Sequence, residues 1–433
     1  MTMKRIEQLY ARFLQYPDVS TDTRKTMKDS IFFALSGGQF NGNQFAGQAL
    51  EQGAALVVLD DPLYVISGDD RYFLVKDSLK TLQALALFHR RHFSIPVLAI
   101  TGTNGKTTTK EAVARVLASE KNLVATAGNL NNHIGVPLTL LRINKDTEIA
   151  IVEMGANHPG EIKALCVLAE PTHGLITTIG KAHLEGFGSL EGVIQTKKEL
   201  YDYIKEKGGS LFVNKDDNLL MRLSEGIQRF TYAKESADVN AYLIESQPSI
   251  LLEWIKSRDK FRVESHLYGS YNFYNLVAAI GIGCYFGITP EHICQSLNNW
   301  ESRNNRSQSL RTKKNMVIMD AYNANPDSMS VAIADFAGHA FAKPVLLLGD
   351  MFELGSAALA EHEAILTLIR KFGFQHVLLM GKEFMKVADG SEYHVFATTD
   401  EAAAFLQQHP IIDSQVLLKG SRGMKLEKLF QYL

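Results

Sequence analysis

Short, wholly apolar runs alternate along this chain with longer segments whose apolar residues recur at helical spacing. Residues 54–59 (Ala-Ala-Leu-Val-Val-Leu) and 72–75 (Tyr-Phe-Leu-Val) are bounded by turn residues and predict strands. Leu79, Leu82, Leu85 and Ala86 then predict a helix leading out of this first unit. A second unit starts at Ile95-Pro96. It has strand-like runs at 97–100, 148–153 and 174–179, a polar Gly-containing turn at 101–107 and helical composition at 110–119. Residues 276–288 form a weakly polar run that predicts a buried helix. A polar stretch rich in Asn, Ser and Arg at 298–315 predicts an interdomain linker. Four further apolar runs follow, at 316–319, 345–348, 377–380 and 416–418, each ending near Gly or Asp. Strands alternating with helices imply α/β folding around parallel sheets covered on both faces.

Composition narrows the class. A chain of 433 residues is long enough for two to three domains. With 45 Lys+Arg against 47 Asp+Glu there is no global basic field, so nucleic acid is not the expected partner. The 46% hydrophobic content excludes disorder as a description of the whole. Cys166, Cys284 and Cys294 are scattered without CxxC spacing, which argues against disulfides and zinc and for a reducing compartment. The N-terminal residues lack the apolar core of a signal peptide, and the 276–288 run is shorter than the ~20 residues of a membrane span. The expectation is a cytoplasmic protein with no membrane segment.

The sharpest local signal is Thr101-Gly-Thr-Asn-Gly-Lys-Thr-Thr108, set between a strand and a helix. In that context backbone N–H groups of Gly102, Thr103, Asn104, Gly105 and Thr108 can cradle phosphate oxygens. Lys106 would reach the β/γ phosphates, and the Thr107 hydroxyl would sit on Mg²⁺. The match departs from GxxxxGK[ST] because Ile100 stands where the first Gly belongs. The loop by itself says only nucleoside triphosphate.

Four other places carry candidate chemistry. Glu153 ends a strand beside that loop, where a metal-directed carboxylate belongs, although a solvated strand end is as common a reading. His183 lies in a Gly-rich loop after a third strand; a lone His is more often structural. Lys197, in Thr196-Lys-Lys-Glu-Leu200, would ordinarily be a solvated helix charge. Asn129, Asn131 and Asn132 give the loop at 126–137 donors and acceptors for a polar ligand.

Taken together, the segments GTNGKTTTK, GNLNNHIGVP, EMGANHPGEI, GKAHLEGFGS, TKKEL, DAYNANPDSM, LLLGDMFELG and LKGSRGMKLE resemble the Mur ligases of peptidoglycan synthesis. The resemblance covers nearly the whole chain and is weakest at 215–260. It implies three domains: a small UDP-substrate-binding α/β domain at 1–92, a central ATP-binding domain with mostly parallel sheet at 93–306, and a Rossmann-like doubly wound domain at 307–433. The implied activity is ATP-dependent amide formation through an acyl phosphate. DAYNANPDSM and LKGSRGMKLE resemble the branch that adds D-alanyl-D-alanine to UDP-N-acetylmuramoyl-tripeptide.

The resemblance also assigns roles. Lys106, Lys197 and His183 would be catalytic. Thr107, Glu153, His183 and Lys197 would serve Mg²⁺, with Lys197 carbamylated by CO₂. Thr23 and Arg24, within Thr21-Asp-Thr-Arg24, and Asn43 would meet the UDP-sugar; Asn43 stands where the family often has His. Asn272 and Asn275 would contact adenine, with Tyr271 in place of the usual His, and Asp320 would bind ribose. Asn129, Asn131, Asn132, Asn323, Asn325, Lys419, Ser421 and Arg422 would line the substrate side. A monomer is the expected state. The rivals are the ligase that adds the third residue, a folylpolyglutamate synthase, and a non-catalytic nucleotide-dependent module.

Overall fold

The computed structural model describes residues 2–38, 40–247, 249–302, 305–388 and 392–433. Three sheets organise it in chain order. The first has four parallel strands, in the order Asp18–Ser20, Ser30–Phe33, Leu56–Leu59, Tyr72–Leu74. Both faces of its inner strands are covered, which is why Leu56–Leu59 reads as a continuous apolar run rather than as alternation. Ile31, Phe33, Leu56 and Val58 point into one core, while Phe32, Val57 and Leu59 point into another. The first of these cores continues without a break into the central unit through Val97, Ala99 and Val136.

The central sheet has nine strands. Val97–Thr101 lies between His173–Ile176 and Ile149–Glu153, with Leu123–Ala125 at one edge. The chain leaves Val97–Thr101 to one side and later returns on the other. The crevice outside the strands' C-terminal ends opens at that switch. On the far side the sheet runs through Ser210–Asn214 and Gln228–Ala233 to Val239–Glu245, all parallel. It closes with an antiparallel pair, Ile250–Lys256 and Asp259–Ser265. These strands fall where the family resemblance is weakest. The helix Phe273–Tyr285 is buried over most of its length and packs against the helix Lys106–Ala118 that follows the phosphate loop.

The third sheet has six strands, five of them parallel. Here the linker expectation needs correction. Residues 303 and 304 lie outside the described residues, but Gln308–Arg311 is an antiparallel edge strand paired with Asn315–Asp320. Its side chains alternate between half-buried and exposed, so a polar sequence is tolerated there and carries no apolar signal. Two other expectations shift. The strand expected at 174–179 ends at Ile176, and the helix expected from 110 begins at Lys106. Among the described residues no helix is long and apolar enough to cross a membrane.

Candidate active site

A cavity of about 1100 Å³ lies between the phosphate-loop wall and the strand ends of the third sheet. The loop owes its shape to two glycines. Gly102 has φ 145°, and a Cβ there would lie 2.0 Å from Thr177 Oγ1 and 3.0 Å from the Thr177 nitrogen. Gly105 has φ 79° and forms the N-cap of Lys106–Ala118; a Cβ there would meet Asn275 Oδ1 at 2.5 Å. Thr103 N–H donates to the Thr178 carbonyl, and Thr177 Oγ1 donates to the Asn104 carbonyl, pinning the loop to the neighbouring strand end. Gly102→Ala is therefore expected to cost about 2 kcal/mol or more of stability and to raise the KM for ATP, checked by chemical denaturation and initial rates.

Lys106 is partly buried and curls back over the loop. Its Nζ donates to the Gly102 and Thr103 carbonyls at 2.6 and 2.9 Å. Burial lowers its pKa to about 8. A phosphate seated in the loop would offer this amine a stronger, charged acceptor.

Glu153 occupies the base of the cavity. Its Oε1 accepts from Asn131 Nδ2 at 2.8 Å and from Thr107 Oγ1 at 3.2 Å. Its Oε2 is buried with no hydrogen-bond partner, and Lys110 Nζ stands 3.9 Å away. Among the described residues no three acidic, His or Cys side chains form a ready-made metal site. An orphaned carboxylate oxygen beside a threonine hydroxyl still suits Mg²⁺, which binds hard oxygen donors and takes one or two carboxylates plus substrate phosphates. His183 adopts φ 49° and its Nδ1 pairs with the Glu353 carboxylate from the third-sheet side. A carboxylate partner on one ring nitrogen is a usual way to orient a metal-binding His. Lys197 is not on the cavity surface. It is buried behind it with Nζ 5.7 Å from the Phe187 ring centroid, and His183 rests against the same ring. Burial first, and then the charge of Lys106, push its pKa well below the ordinary lysine value.

On the nucleotide side, Asn275 Nδ2 donates to Asn272 Oδ1, and Thr109 Oγ1 donates to Asn275 Oδ1. These amides tie the helix Phe273–Tyr285 to the phosphate-loop helix while still lining the cavity. The Tyr271 hydroxyl bonds to Ser307. Asp320 is buried: Oδ2 accepts from Lys419 Nζ at 2.5 Å and Oδ1 from the Ser307 N–H. Lys419, expected to meet the substrate, is thus first a buried partner of Asp320.

Three asparagines also have local duties. Asn325 caps the helix Pro326–Ala337, its Nδ2 donating across the cleft to Asn104 Oδ1 at 2.8 Å. Asn132 Oδ1 accepts the N–H groups of Ile134 and Gly135. Asn323 Oδ1 accepts the Ala324 N–H. Ser421 Oγ accepts the Phe352 N–H and holds the loop that carries Glu353.

The N-terminal candidates are not part of this cavity. Arg24 is exposed and locked in a bidentate pair with Asp22, holding that carboxyl's pKa down to about 2. Thr23 lies beside it, half-buried. Asn43 lines a separate open pocket with Ser36, Asp60 and Asp61. Its amide is already committed: Nδ2 donates to Asp60 and Asn41, and Oδ1 accepts two backbone N–H groups. These bonds brace the turn at 41–43 against the loop at 60–61.

Several cavity residues were not singled out in the sequence, among them Arg306, Tyr322, Asp327, Phe352 and Glu353, although all but Arg306 lie in segments that carry the family resemblance. Two of them, with neighbours, fasten the cleft shut. The Lys181 N–H donates to Asp327 at 2.6 Å, and Lys181 Nζ pairs with Glu361 at 2.6 Å. Together with Asn104–Asn325 and His183–Glu353, these contacts describe a closed arrangement. They are few and mostly solvent-accessible, so each contributes little alone. Free enzyme is expected to be more extended in solution than this arrangement and to compact with an ATP analogue plus UDP-substrate, read as a fall in radius of gyration by X-ray scattering.

Fold and cavity together define a class: a phosphate-loop α/β protein whose nucleotide site is closed by a second, Rossmann-like α/β domain. Comparison with known proteins narrows it. The Mur ligase middle domain matches residues 100–283, and the Mur ligase, glutamate ligase domain matches 305–422. The UDP-N-acetylmuramoyl-tripeptide–D-alanyl-D-alanine ligase of Bacillus subtilis is 33% identical over 100% of this chain and 98% of its own length. The corresponding Escherichia coli protein is 33% identical over 96% and 93%. A crystal structure of MurF from Acinetobacter baumannii superposes with TM-score 0.87 at 28% identity, covering 99% of this chain and 98% of that one. MurF from Thermotoga maritima in complex with ADP gives 0.83 at 26% identity, covering 97% of each chain. The chain belongs to the Mur ligase family, on the branch of the UDP-N-acetylmuramoyl-tripeptide–D-alanyl-D-alanine ligases.

Proposed function

We propose that this enzyme joins D-alanyl-D-alanine to UDP-N-acetylmuramoyl-tripeptide at the expense of ATP, giving the UDP-N-acetylmuramoyl-pentapeptide used in peptidoglycan synthesis. The observation that carries the reading is the single cavity in which the phosphate loop faces Asp320, Lys419, Ser421 and Arg422 from the other domain. A carboxylate does not acylate an amine at neutral pH, because its leaving group is too poor. Transfer of the γ-phosphoryl of ATP to the tripeptide carboxylate gives an acyl phosphate and ADP. The dipeptide amine, neutral when it attacks, then forms a tetrahedral intermediate that releases phosphate and leaves the amide.

The residues act mainly by positioning and by charge. Backbone N–H groups of 102–108 hold the phosphates, and Lys106 follows the negative charge on the transferred group. Thr107, Glu153 and His183 would hold Mg²⁺, which when bound neutralises phosphate charge. Asn272 and Asn275 lie on the adenine side and Asp320 on the ribose side. Asn129, Asn131, Asn132, Asn323 and Asn325 line the reacting region. The Thr23–Arg24 turn serves the UDP moiety, with domain boundaries near 92 and 306. Lys197 fits carbamylation: an amine kept neutral by burial can add to CO₂ with loss of one proton, turning a buried neutral group into an anion that can help bind a metal. Cytoplasmic location and a monomeric state complete the proposal; two of the three reactants are highly charged nucleotides and the third is a zwitterionic dipeptide.

The test is phosphate release with ATP, Mg²⁺, UDP-N-acetylmuramoyl-tripeptide and D-alanyl-D-alanine, omitting one at a time, with mass spectrometry of the product. A pentapeptide mass that requires all four components supports the reading. Release without the dipeptide, or incorporation of L-Lys or diaminopimelate instead, sinks it.

A further inference from the structure

Two lysines in the first turns of the helix Lys106–Ala118 take different partners. Lys106 curls over the phosphate loop. Lys110 is buried at the base of the cavity and turns instead to the neighbouring strand ends. Its Nζ donates to the Thr126 carbonyl at 2.9 Å and to the Gly128 carbonyl at 3.4 Å. It stands 3.9 Å from Glu153 Oε2, so it meets that carboxylate by charge rather than by a hydrogen bond. Burying an ammonium is costly unless acceptors surround it, and an apolar side chain of the same length would fill the space without that cost. The charge and its donors are therefore the features to explain.

The contacts close into a ring. Lys110 holds the entry of the asparagine loop at residues 126 and 128. A few residues on, the loop presents Asn131, whose Nδ2 donates to Glu153 Oε1 at 2.8 Å. The Asn131 carbonyl accepts the Gly155 N–H at 2.8 Å, and Thr126 Oγ1 accepts the Glu153 N–H at 2.9 Å. Glu153 then returns to Lys110 through Oε2. The ring is tight: a Cβ at Gly155 would lie 2.9 Å from Asn131 Oδ1. Thr107 stands three residues before Lys110, on the same helix face, and donates to the same carboxylate. One buried ammonium thus joins the nucleotide half of the site to the loop on its substrate side.

We propose that Lys110 is a positioning residue for the UDP-N-acetylmuramoyl-tripeptide, seating the 126–132 loop against Glu153 so that its asparagines meet the acceptor in register with the phosphate loop. This rests on the ligase reading above and adds to it a residue that touches neither nucleotide nor peptide. The test compares wild-type enzyme with Lys110→Met, which keeps the length and loses charge and donors, and Lys110→Gln, which keeps an N–H donor without the charge. Lys110→Met is expected to raise the KM for UDP-N-acetylmuramoyl-tripeptide about tenfold or more, with the KM for ATP within about twofold. Lys110→Gln should recover part of that loss. Calorimetric affinity for the UDP-tripeptide, measured with a non-hydrolysable ATP analogue present, should fall by a similar factor. Equal rises in both KM values with a lowered melting temperature overturn the proposal, because they would make Lys110 a brace of the fold alone. An unchanged KM for the UDP-tripeptide in Lys110→Met overturns it too. If Lys110→Met does not fold, the same comparison of KM values in Lys110→Gln decides. Failure of wild-type enzyme to form the pentapeptide overturns the ligase reading; wild-type turnover without an acceptor-specific loss in the variants overturns the role of Lys110 only.

Discussion

Lys106→Ala is expected to lower kcat for phosphate release by about 10³-fold or more, the largest single loss among the substitutions considered. Nζ already lies over the loop, 2.6 Å from the Gly102 carbonyl, so it needs only a small movement to follow an incoming phosphate. Backbone N–H groups would still hold ATP, and binding should fall less than turnover. The two are separated by measuring ATP affinity calorimetrically beside single-turnover phosphate release. Arginine should not restore the rate. Its fork is wider than an ammonium, and the amine it replaces fits between the Gly102 and Thr103 carbonyls. A loss in ATP affinity equal to the loss in kcat would mean that Lys106 binds the ground state only.

Lys197→Ala is expected to lower kcat by about 10²-fold or more, with partial rescue by acetate or formate and none by bicarbonate. In its unmodified form Lys197 is buried, with its Nζ 5.7 Å from the centroid of the Phe187 ring. That arrangement costs free energy as an ammonium and much less as a neutral amine or a partnered carbamate. Removing the side chain therefore should not unfold the protein, and a melting curve run in parallel distinguishes catalytic loss from structural loss. Small carboxylates can occupy the space left and supply the missing negative charge. Mass spectrometry of the native enzyme under CO₂ should show an added 44 Da, the mass of the CO₂ taken up by the amine. Wild-type activity in Lys197→Ala would falsify the role.

The phosphate loop was legible before any coordinates because its chemistry is local. Two glycines, a lysine and a threonine hydroxyl must follow one another between a strand and a helix, and that order is written in eight consecutive residues. Some sheet strands were legible where both faces are covered, as at Val97–Thr101 and Pro344–Gly349, because burial on both faces favours continuous apolar runs; Ser30–Phe33 and Ser210–Asn214, equally buried, were missed because their apolar cores are only three residues long. Strands with one wet face were missed. Gln308–Arg311 and the antiparallel pair Ile250–Lys256 and Asp259–Ser265 carry exposed polar positions that dilute the signal.

Several side chains expected to meet ligands also have structural duties that the sequence did not show. Asn325, Asn132 and Asn43 are each engaged in a cap, a turn or a loop brace. Short amides compete for nearby backbone groups, and a sequence does not say which partner wins.

By itself, then, the sequence determined the α/β class, the phosphate-loop chemistry and the resemblance to the Mur ligases, because each depends on residue order and local periodicity. Only the tertiary structure decided which distant groups meet. The order of strands in the third sheet brings Asp320 onto Lys419 and Arg422 onto Tyr322, about a hundred residues apart in each case. Closure of the cleft sets Glu353 against His183, and packing behind the cavity strips Lys197 of water. Proximity across a sheet follows from topology, and a shifted pKa follows from desolvation by whatever packs nearby. Neither quantity belongs to a residue or its sequence neighbours, so no local reading could supply it.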